Sequence, residues 1–479
     1  MSAPPLVAFE RETIRIAPDA EVAELRRLAQ LSAAGLASEV NAGFDVSGGR
    51  DGFGRLVVTQ AEATALELLN VTREGFCSRT AGGLALSKYC GIVRIGSVSR
   101  AGSLADGLAM EILPKVWGVD VEPGAESAGT RAASIGAARR ALLRMLAFAN
   151  GLPISELDMA PQSVADVTLL DLFVRSFLRE ALRVAKGGLL TRYVEAIDDL
   201  NALRGRILLA ETERLIATRP GLYRCAHDEL IIDNPYNQVL LAAIEICRSR
   251  ILKASTARLW GEARAFFSGV SFVRMRAHQV AALKRGRETV RYGEALRWAE
   301  LLLGLLSPSL AAGTSDAPAL LFNMEALFER WVERHERGNA PEGVLVRFKG
   351  VSRDLARVEH DRVVAGTLVS SSGRTRSAFR LMPDVLLWCE GEDLDTGSPT
   401  AIVDAKWKVL DPRRRDWGVD ENDAHQILAY LTRYGCRVAR LAYPVLKVAV
   451  PAEGPPTFKI DLPGGDVATI GVELVPIDA

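Results

Sequence analysis

The stretch MPDVLLWCEGEDLDTGSPTAIVDAKWKVL, residues 382–410, decides the fold of the C-terminal part of the chain. Two runs typical of β-strands, PDVLLW and TAIVDAKWKVL, flank an acidic loop that contains Gly, Ser and Pro. Each run carries an aspartate among aliphatic residues, Asp384 in the first and Asp404 in the second. These aspartates need a partner, because a buried charge is costly unless it is paired or binds a metal.

The second predicted strand places its charged residues on one face. Alternate residues of a strand share a face, so Asp404, Lys406 and Lys408 point the same way. Asp404 and Lys406 are then about 6–7 Å apart along the strand. If the two runs pair as neighbouring strands, Asp384 lies beside Asp404.

Two converging carboxylates repel each other unless a cation lies between them. Carboxylate oxygens suit Mg²⁺ or Mn²⁺, which keep several waters and are completed by substrate phosphate. Lys406 beside that cation would orient or deprotonate a water, or neutralise the charge that develops on the phosphate. The implied chemistry is metal-assisted phosphodiester hydrolysis. The alternative is an ion pair between Asp404 and Lys406 on an exposed edge strand, which needs no ligand.

Length and composition bound the class of protein. At 479 residues the chain is long enough for roughly two to four domains. Its 48% hydrophobic and 25% charged residues are typical of a soluble globular protein. Lys and Arg together number 59, as do Asp and Glu, so any affinity for nucleic acid must come from local patches.

Cysteines and apolar runs predict the compartment. The six cysteines show neither CxxC pairs nor the His spacing of zinc sites, which predicts free thiols in a reducing compartment. The N-terminal residues MSAPPLVAFERETIRI lack the basic and apolar regions of a secretory signal. No apolar run approaches about 18 residues, so we expect no membrane span. The expected location is the cytoplasm.

The hydrophobic pattern changes along the chain and predicts an α/β (multidomain α+β) fold with three domains. Residues 1–125 hold short alternating runs such as GIVRIGSVSR (91–100), which predict a β-rich N-terminal domain. Residues 126–312 carry apolar residues at three- and four-residue spacing and predict a mainly helical middle domain. Residues 313–479 predict an amphipathic helix and then a strand-rich segment with one late helix, over 423–435.

Two predicted helices on either side of the quoted stretch add polar residues. Upstream, MEALFERWVERH places Glu325 and Glu329 one helical turn apart, and either carboxylate can reach the metal site. Downstream, HQILAYLTRYG places Gln426, Tyr430 and Arg433 on a polar stripe that can contact phosphates. The alternative for both helices is a solvated face of an amphipathic helix.

The order of a helix with Glu, then PD, then DAK, then a helix with Gln and Tyr resembles the PD-(D/E)xK nuclease superfamily. More narrowly it resembles the McrC family, the nuclease subunit of McrBC-type modification-dependent restriction systems. The C-terminal stretches that carry the resemblance are FNMEALFERWV, MPDVLLW, IVDAKWKVL and HQILAYLTRYG. Further matches are GIVRIGSVSR and LAMEILPKV near the N-terminus, and LRGRI (203–207) and DNPYNQVLLAA (233–243) in the middle. The resemblance spans residues 84–435.

The resemblance implies roles for the residues of the two strands. Asp384 and Asp404 would bind Mg²⁺ or Mn²⁺, with the Ala405 carbonyl as a third oxygen ligand. Lys406 would be the catalytic lysine, and Lys408, one step further along the same face, would take no part. The C-terminal domain would have the PD-(D/E)xK nuclease fold, with a mixed sheet flanked by helices.

The resemblance also implies roles on the two helices. Glu329 would match the acid of the first helix, which makes Glu325 the weaker candidate. Gln426 would support the lysine or a phosphate, with Tyr430 behind it.

Partners are implied in the same way. McrC-like proteins work with McrB, a separate AAA+ GTPase that recognises modified DNA, such as DNA with 5-methylcytosine, and translocates it. The N-terminal and middle regions would dock on that ring and stimulate GTP hydrolysis, and nuclease domains would dimerise to cut both strands. The sequence has no GxxxxGK[ST] motif, so we expect no nucleotide to bind this chain itself. Arg204 and Arg206 are candidates for an arginine that acts in trans at the partner's nucleotide site.

The run DPRRRDWG (411–418) places Arg413 and Arg414 just beyond the DAK strand, which predicts contacts with DNA phosphates. Its alternative is a solvated charged loop. We therefore expect a Mg²⁺-dependent DNA endonuclease subunit of a McrBC-like (type IV) complex that serves antiviral defence. The other functions that fit the sequence are a non-cleaving assembly or activating subunit and a stand-alone repair nuclease.

Overall fold

The structure is a computed structural model of the 479-residue chain. The structure describes residues 6–33, 49–51, 54–95, 108–115, 128–150, 154, 168–248, 253–306, 319–358, 361–364, 367–370, 376–394, 396–446, 454–462 and 465–477. These residues form two compact units. The middle unit lies within Val167–Leu320, and the composite unit lies within Ala3–Ile95, Leu108–Asp166 and Leu321–Ala479.

Helices and strands mix along the chain, which confirms the predicted α/β class. The α-helices of the described residues are α1 (Asp19–Ala33), α2 (Gln60–Leu68), α3 (Ala128–Asn150), α4 (Leu169–Lys186), α5 (Leu209–Thr218), α6 (Pro235–Cys247), α7 (Ala254–Phe266), α8 (Ala277–Ala281), α9 (Gly293–Leu306), α10 (Met324–Asn339) and α11 (Glu421–Tyr434). Short 3₁₀ helices lie at Leu69–Val71, Arg287–Tyr292 and Arg415–Gly418.

The strands form several small sheets and one larger sheet. Those in the first half of the chain are β1 (Leu6–Phe9), β2 (Thr13–Ile16), β3 (Val57–Val58), β4 (Cys77–Thr80), β5 (Gly83–Leu86), β6 (Tyr89–Ile95), β7 (Leu108–Leu113), β8 (Arg192–Leu200), β9 (Arg206–Ile207) and β10 (Tyr223–Ile231). Those in the second half are β11 (Ala319–Asn323), β12 (Val344–Phe348), β13 (Arg353–Val358), β14 (Asp361–Val364), β15 (Thr367–Ser370), β16 (Arg376–Leu381), β17 (Val385–Cys389), β18 (Ala401–Ala405), β19 (Val438–Val445), β20 (Thr457–Asp461) and β21 (Val467–Pro476). The predicted strand over 91–100 corresponds to β6, and residues 96–100 lie outside the described residues.

The C-terminal sheet is mixed, as predicted, with strand order β12-β17-β18-β19-β21-β20. The pairs β12–β17, β17–β18 and β20–β21 are antiparallel, while β18–β19 and β19–β21 are parallel. Helix α10 packs against β12 and β18, and α11 packs against β18 and β19. A buried cluster that includes Ile402, Ile427 and Leu441 joins the sheet to α11. Because Asp404 shares a face with Ile402, its side chain points toward α11.

Helix α11 has a defined beginning and end, which fixes the residues it presents to the sheet. Asp420 caps its first turn, since its Oδ1 accepts a hydrogen bond of 2.9 Å from the Asn422 N–H. Gly435 ends it in the left-handed conformation, with φ of 66°. The predicted helix over 423–435 is thus present and begins two residues earlier.

The N-terminal strands pack with the C-terminal part of the chain inside the composite unit. Strand β11, which leads directly into α10, belongs to the sheet β1-β7-β6-β11. The second N-terminal sheet has the order β3-β2-β5-β4. The Glu10 carboxylate is buried and accepts hydrogen bonds from the Trp407 indole N–H at 2.6 Å and from the Lys115 N–H at 3.0 Å. Arg11 donates to the Trp407 carbonyl at 3.0 Å, so the end of β1 is joined to the segment that follows β18.

The middle unit combines helices with the three-stranded sheet β8-β10-β9. Its DNPYNQ segment has a structural role around the loop at Leu190. The side-chain amides of Asn234 and Asn237 donate to the Leu190 carbonyl at 2.7 and 2.9 Å. The Tyr292 hydroxyl accepts from the Leu190 N–H and donates to the Asn237 side chain, both at 2.7 Å. Buried polar groups are satisfied in this way and hold the start of α6 in place.

The division into three domains, with boundaries near 125 and 312, stays a prediction. Described residues of 1–125 and of 321–479 belong to the composite unit together with α3, whereas Ala319 and Leu320 belong to the middle unit. All six cysteines are free thiols, five of them buried. Within the described residues, no helix has both the length and the apolar character needed to span a lipid bilayer.

Candidate active site

The two predicted metal ligands lie opposite each other on neighbouring strands. Asp384 directly precedes β17, and Asp404 lies in β18. The antiparallel register pairs Val385 with Val403, so the next position outward sets Asp384 against Asp404. Their side chains are buried, with 9% and 2% of their surface exposed. The strand pairing predicted from the sequence is therefore confirmed.

Backbone groups hold Asp384 in place. Its Oδ2 accepts a hydrogen bond of 2.9 Å from the Ala405 N–H, and its carbonyl accepts one of 2.9 Å from the Lys349 N–H. Asp384 is thereby tied to both neighbouring strands of the sheet. Ala405, the predicted carbonyl ligand, is the last residue of β18 and directly follows Asp404.

Strand β18 ends at Ala405, so the prediction of a strand that continues to residue 410 was wrong beyond that point. The Lys406 N–H still bonds to the Ala442 carbonyl at 2.8 Å, but the Lys408 N–H turns back to the Lys406 carbonyl at 2.9 Å. Such a three-residue turn is common at the ends of strands. After this turn, alternate residues no longer point to the same face of the sheet. The predicted position of Lys408 depended on that alternation.

The Lys406 ammonium lies among three acceptors. It forms an ion pair of 2.7 Å with Asp404 Oδ2 and donates a hydrogen bond of 2.7 Å to Gln426 Oε1. Asp423 Oδ1 is 3.5 Å away. Gln426 in turn donates through Nε2 to the Tyr430 hydroxyl at 2.7 Å. Lys406, Gln426 and Tyr430 thus form one chain of hydrogen bonds, and its first member, Lys406, is ion-paired with Asp404.

Asp423 and Lys408 are the two members of the site that the sequence did not reveal. Asp423 is 6% exposed and lies one helical turn before Gln426. Its Oδ2 is 2.8 Å from the Lys408 ammonium, which is also 3.4 Å from the helix cap Asp420. Lys408 was predicted to take no part, yet it contacts the same carboxylate as Lys406. The available signal was the three-residue spacing between Asp423 and Gln426, which places both on one helix face.

The two candidate glutamates of α10 have different partners. Glu329 forms an ion pair with Lys349, and its charge raises the pKa of both Asp384 and Asp404. Glu329 is therefore close enough to act on the site. Glu325 forms an ion pair of 2.6 Å with Lys88, which directs its carboxylate toward the N-terminal part of the unit.

The pKa values follow from burial and crowding of like charges. Burial raises the pKa of Asp384 to about 7, with Asp404 and Glu329 adding to the effect. Burial also raises the pKa of Asp404, although Lys406 opposes it. Burial would by itself lower the pKa of Lys406, but the carboxylates of Asp404, Asp423 and Asp384 together outweigh it and raise that pKa above its usual range. Lys406 is consequently an ammonium donor at neutral pH.

The oxygen atoms of the site suit a hard divalent cation that binds to only a few protein ligands. Among the residues that the structure describes, no group of three or more His, Cys, Asp or Glu side chains is arranged to hold a metal. Mg²⁺ usually binds through one or two carboxylates, with waters and phosphate oxygens completing its coordination. Asp384 and Asp404 are such a pair, and a cation would relieve the repulsion that raises their pKa values.

The residues predicted to bind DNA lie around this site in different environments. Tyr430 is only 4% exposed and belongs to the buried cluster beneath α11. Arg433 donates to the Asp354 carbonyl at 2.6 Å. Arg413 has a 90% exposed side chain that pairs with Asp411 at 3.1 Å. Arg414 is exposed as well. Their contacts with DNA stay predictions.

The arginines predicted to act on a partner lie in the middle unit. Arg204 and Arg206 are exposed and flank Gly205, at the turn that leads into β9. Arg206 is 3.3 Å from Glu195 across the sheet. Their role in trans also stays a prediction.

Comparison with known protein families identifies the family of this chain. The sequence matches the model of the family described as McrBC 5-methylcytosine restriction system component over residues 84–444. Among curated proteins, none matches this chain.

Two solved structures are similar to the whole fold or to much of it. The first is a chain of the refined half-complex from the tetradecameric assembly of Thermococcus gammatolerans McrB AAA+ hexamers with bound McrC. It has a TM-score of 0.63 and 16% identity, and the match covers 99% of this chain and 96% of that chain. The second is a chain of the cryo-EM structure of the Thermococcus gammatolerans McrBC complex, with a TM-score of 0.46, 19% identity, and coverage of 71% and 89%. Since the family model spans most of the sequence, the chain belongs to the family of McrBC 5-methylcytosine restriction system components.

Proposed function

We propose that this chain is the nuclease subunit of a McrBC-like, modification-dependent (type IV) restriction complex. In this proposal it cleaves DNA phosphodiester bonds with Mg²⁺ or Mn²⁺ at a PD-(D/E)xK site. The observation that carries the proposal is the juxtaposition of two buried carboxylates with one lysine. Asp384 faces Asp404, and Lys406 lies 2.7 Å from Asp404, in a chain of the McrBC family.

The metal would be held by Asp384, Asp404 and the Ala405 carbonyl. Both aspartates have raised pKa values because burial and neighbouring carboxylates disfavour their charged forms. A divalent cation between them would restore both charges. When bound, Mg²⁺ would stabilise negative charge on the phosphate and make a water more acidic.

The side chains around that position would then orient the reacting groups. Lys406 stays protonated, so it would donate to a phosphate oxygen or to the attacking water and would not act as a base. Gln426 would hold the lysine, with Tyr430 fixing the orientation of the Gln426 amide. Glu329 would accept a hydrogen bond from the water once its ion pair with Lys349 opens.

The DNA substrate would lie across the open side of this site. Arg413 and Arg414 are exposed beyond Lys406 and are suited to bind phosphates. We propose double-stranded DNA, modified for example as 5-methylcytosine, with the modification recognised by a partner protein. Cleavage of both strands would bring two nuclease sites together through dimerisation.

The proposed partner is an McrB-like AAA+ GTPase oligomer. Support comes from the family and from the likeness of the fold, over 99% of this chain, to a chain solved with McrB hexamers and bound McrC. The chain itself contains no P-loop motif, so the nucleotide would bind only to the partner. Arg204 and Arg206 are the proposed residues that stimulate GTP hydrolysis.

Plasmid cleavage tests the proposal. The chain is mixed with the McrB-like GTPase from the same organism, GTP, Mg²⁺ and a plasmid that carries 5-methylcytosine. We expect Asp404→Ala and Lys406→Ala to lose at least about 100-fold in cleavage rate. The matched controls Asp461→Ala and Lys459→Ala, exposed on strand β20 of the same sheet, should cleave like the wild type.

GTP hydrolysis in the same mixtures separates the two functions. Asp404→Ala should stimulate the GTPase as the wild type does, because the residues proposed to stimulate GTP hydrolysis are Arg204 and Arg206. Undiminished cleavage by either site variant would refute the catalytic assignment. If stimulation is the only activity with any divalent metal, the chain is a non-cleaving activator.

A further inference from the structure

Asp423 occupies a position that the proposed chemistry does not use. It lies in the first turn of α11, buried at 6% exposure, and directs its carboxylate between two lysines. Oδ1 is 3.5 Å from the Lys406 ammonium, and Oδ2 is 2.8 Å from the Lys408 ammonium. A buried carboxylate is costly unless it is paired, and here two cations pair with it.

We propose that Asp423 is a positioning residue that holds Lys406 in its reactive orientation, and that Lys408 keeps Asp423 in place. The inference rests on the proposed nuclease function. A lysine side chain has four flexible methylene groups, so its ammonium is fixed only by the acceptors around it. Two of those acceptors, Gln426 and Asp423, come from one face of α11 and are therefore held rigidly relative to each other.

Asp423 contributes most to the position of Lys406 when Asp404 binds a cation. A carboxylate that ligates a cation has less charge to offer to a neighbouring ammonium. Lys406 would then depend on Gln426, which is neutral, and on Asp423, which carries the remaining negative charge on α11 beside it. Asp423 thus keeps the ammonium near the reaction while Asp404 serves as a ligand.

Lys408 completes the arrangement from the segment after β18. It contacts Asp423 and also the helix cap Asp420, at 3.4 Å. The turn at Lys406–Lys408 makes this possible, because it directs the Lys408 side chain to the start of α11. The pair therefore joins the end of the catalytic strand to the helix that supplies Gln426.

Cleavage kinetics provide the first test. In the complex with its GTPase, Asp423→Asn and Asp423→Ala should lower kcat by about 10- to 100-fold with little change in the KM for DNA, because a misplaced group costs rate and not ground-state binding. Asp423→Glu should recover part of the lost rate. Lys408→Met should show a smaller loss in the same direction. Glu421→Gln is the matched control, an exposed carboxylate on the same helix, and should leave kcat unchanged.

Mn²⁺ binding to the isolated chain distinguishes a positioning residue from a metal ligand. Asp423→Asn should bind Mn²⁺ within about twofold of the wild-type affinity, while Asp404→Asn should lose most of the binding. An equal loss in both variants would overturn the proposal, since Asp423 would then be a ligand. Wild-type kcat in both Asp423→Asn and Asp423→Ala would also overturn it.

Crystal structures of the wild type and of Asp423→Asn, both with Mn²⁺ bound so that Asp404 serves as a ligand, keep the test independent of catalysis. We expect the Lys406 ammonium to leave its position between Asp404 and Gln426 in the variant, while α11 stays in place. Asn is nearly the same size as Asp, so the variant should fold even if the alanine variant does not. If the wild type does not cleave DNA, the nuclease proposal fails and the position of Lys406 alone decides the role of Asp423. An unmoved lysine would refute that role.

Discussion

At the scale of single residues, Asp384 is a proposed metal ligand whose charge changes near neutral pH. Its pKa of about 7 results first from burial and then from the neighbouring charges of Asp404 and Glu329. The Ala405 N–H and Lys349 act against this rise. Below that pKa the folded protein holds a proton on Asp384, and a cation must displace it to bind. Proton and metal therefore compete for the same carboxylate.

We predict that the Mn²⁺ affinity of the isolated chain rises with pH up to about 7 and levels off above it. Below the pKa, each pH unit should cost about tenfold in affinity, because binding releases one proton from Asp384. Titration calorimetry in buffers between about pH 6 and pH 8 measures the effect. Glu421→Gln should follow the same curve, and a flat curve for the wild type would contradict the prediction.

A second prediction concerns the hydroxyl of Tyr430, which accepts the Gln426 hydrogen bond. Tyr430→Phe should lower the free energy of unfolding by about 1 kcal/mol and the cleavage rate by about 2- to 10-fold, because the Gln426 amide loses its orientation. Tyr434→Phe is the matched control on the same helix. Its hydroxyl donates to the Val351 carbonyl at 2.7 Å, away from the site. Tyr434→Phe should lose stability, but at temperatures well below its melting temperature it should cleave at the wild-type rate. Equal falls in the cleavage rates of Tyr430→Phe and Tyr434→Phe would contradict the prediction.

Strand pairing inferred from the sequence predicts that Asp384 and Asp404 lie together, but it does not predict the positions of Asp423 and Lys408. Asp384 and Asp404 converge because the period of two along a strand and the register of a hairpin leave few alternatives. Asp423 and Lys408 could not be found in this way. The turn after Ala405 redirects the side chain of Lys408. This turn consists of Lys and Trp residues, so the sequence there has no Gly or Pro that would predict a turn.

At the scale of elements, the middle unit contains a sheet that the helical pattern of residues 126–312 does not reveal. Strand β8 is exposed at most positions and carries the acidic sequence RYVEAIDDL, so it lacks the alternation of a half-buried strand. Its partner β10 supplies the buried residues, among them Cys225 and Ala226. The helices around it were predictable because their apolar stripes face a core.

We predict that Gly205→Ala destabilises this sheet. Gly205 has φ of 67°, and a Cβ would lie 2.4 Å from the Ala226 carbonyl oxygen and 2.8 Å from His227 Cβ. We expect a loss of about 2 kcal/mol or more in the free energy of unfolding of the middle unit, because backbone must move to relieve the overlap. Thermal unfolding followed by circular dichroism measures it.

Gly221→Ala is the control that isolates this overlap. Gly221 also has positive φ, at 90°, but a Cβ there would have no neighbour within 4 Å. It should lose only about 1 kcal/mol from backbone strain. Equal losses in the two variants would show that the close approach of β9 and β10 contributes nothing.

At the scale of the whole molecule, the composite unit joins sequence segments that are far apart. Strand β11 shares a sheet with β1, β6 and β7, and Lys88 pairs with Glu325 at the start of α10. The indole of Trp407 lies 5.4 Å from the ring of Phe328, and its N–H reaches Glu10. Contacts between distant segments of this kind have no local signature, so the sequence pattern alone does not reveal them.

We predict that a fragment of residues 313–479 does not fold stably by itself. It would expose Trp407, which is 4% exposed in the intact chain, and would leave β11 without its partner strands. The fragment should lack the cooperative thermal transition of the full chain. In the full chain, Glu10→Ala should lower stability by about 2 kcal/mol, because two buried donors lose their acceptor. A fragment that melts at the temperature of the full chain would refute the prediction.

The hydrogen bond between Glu10 and Trp407 limits how related proteins can exchange segments by recombination. Trp407 follows Lys406 directly, so the N-terminal strand helps to set the path of the chain at the reactive lysine. A chimaera that takes its first hundred residues from one homologue and its last domain from another would combine a carboxylate and an indole selected in different backgrounds. Recombination, in the laboratory or in a genome, must therefore transmit the residues at positions 10 and 407 together.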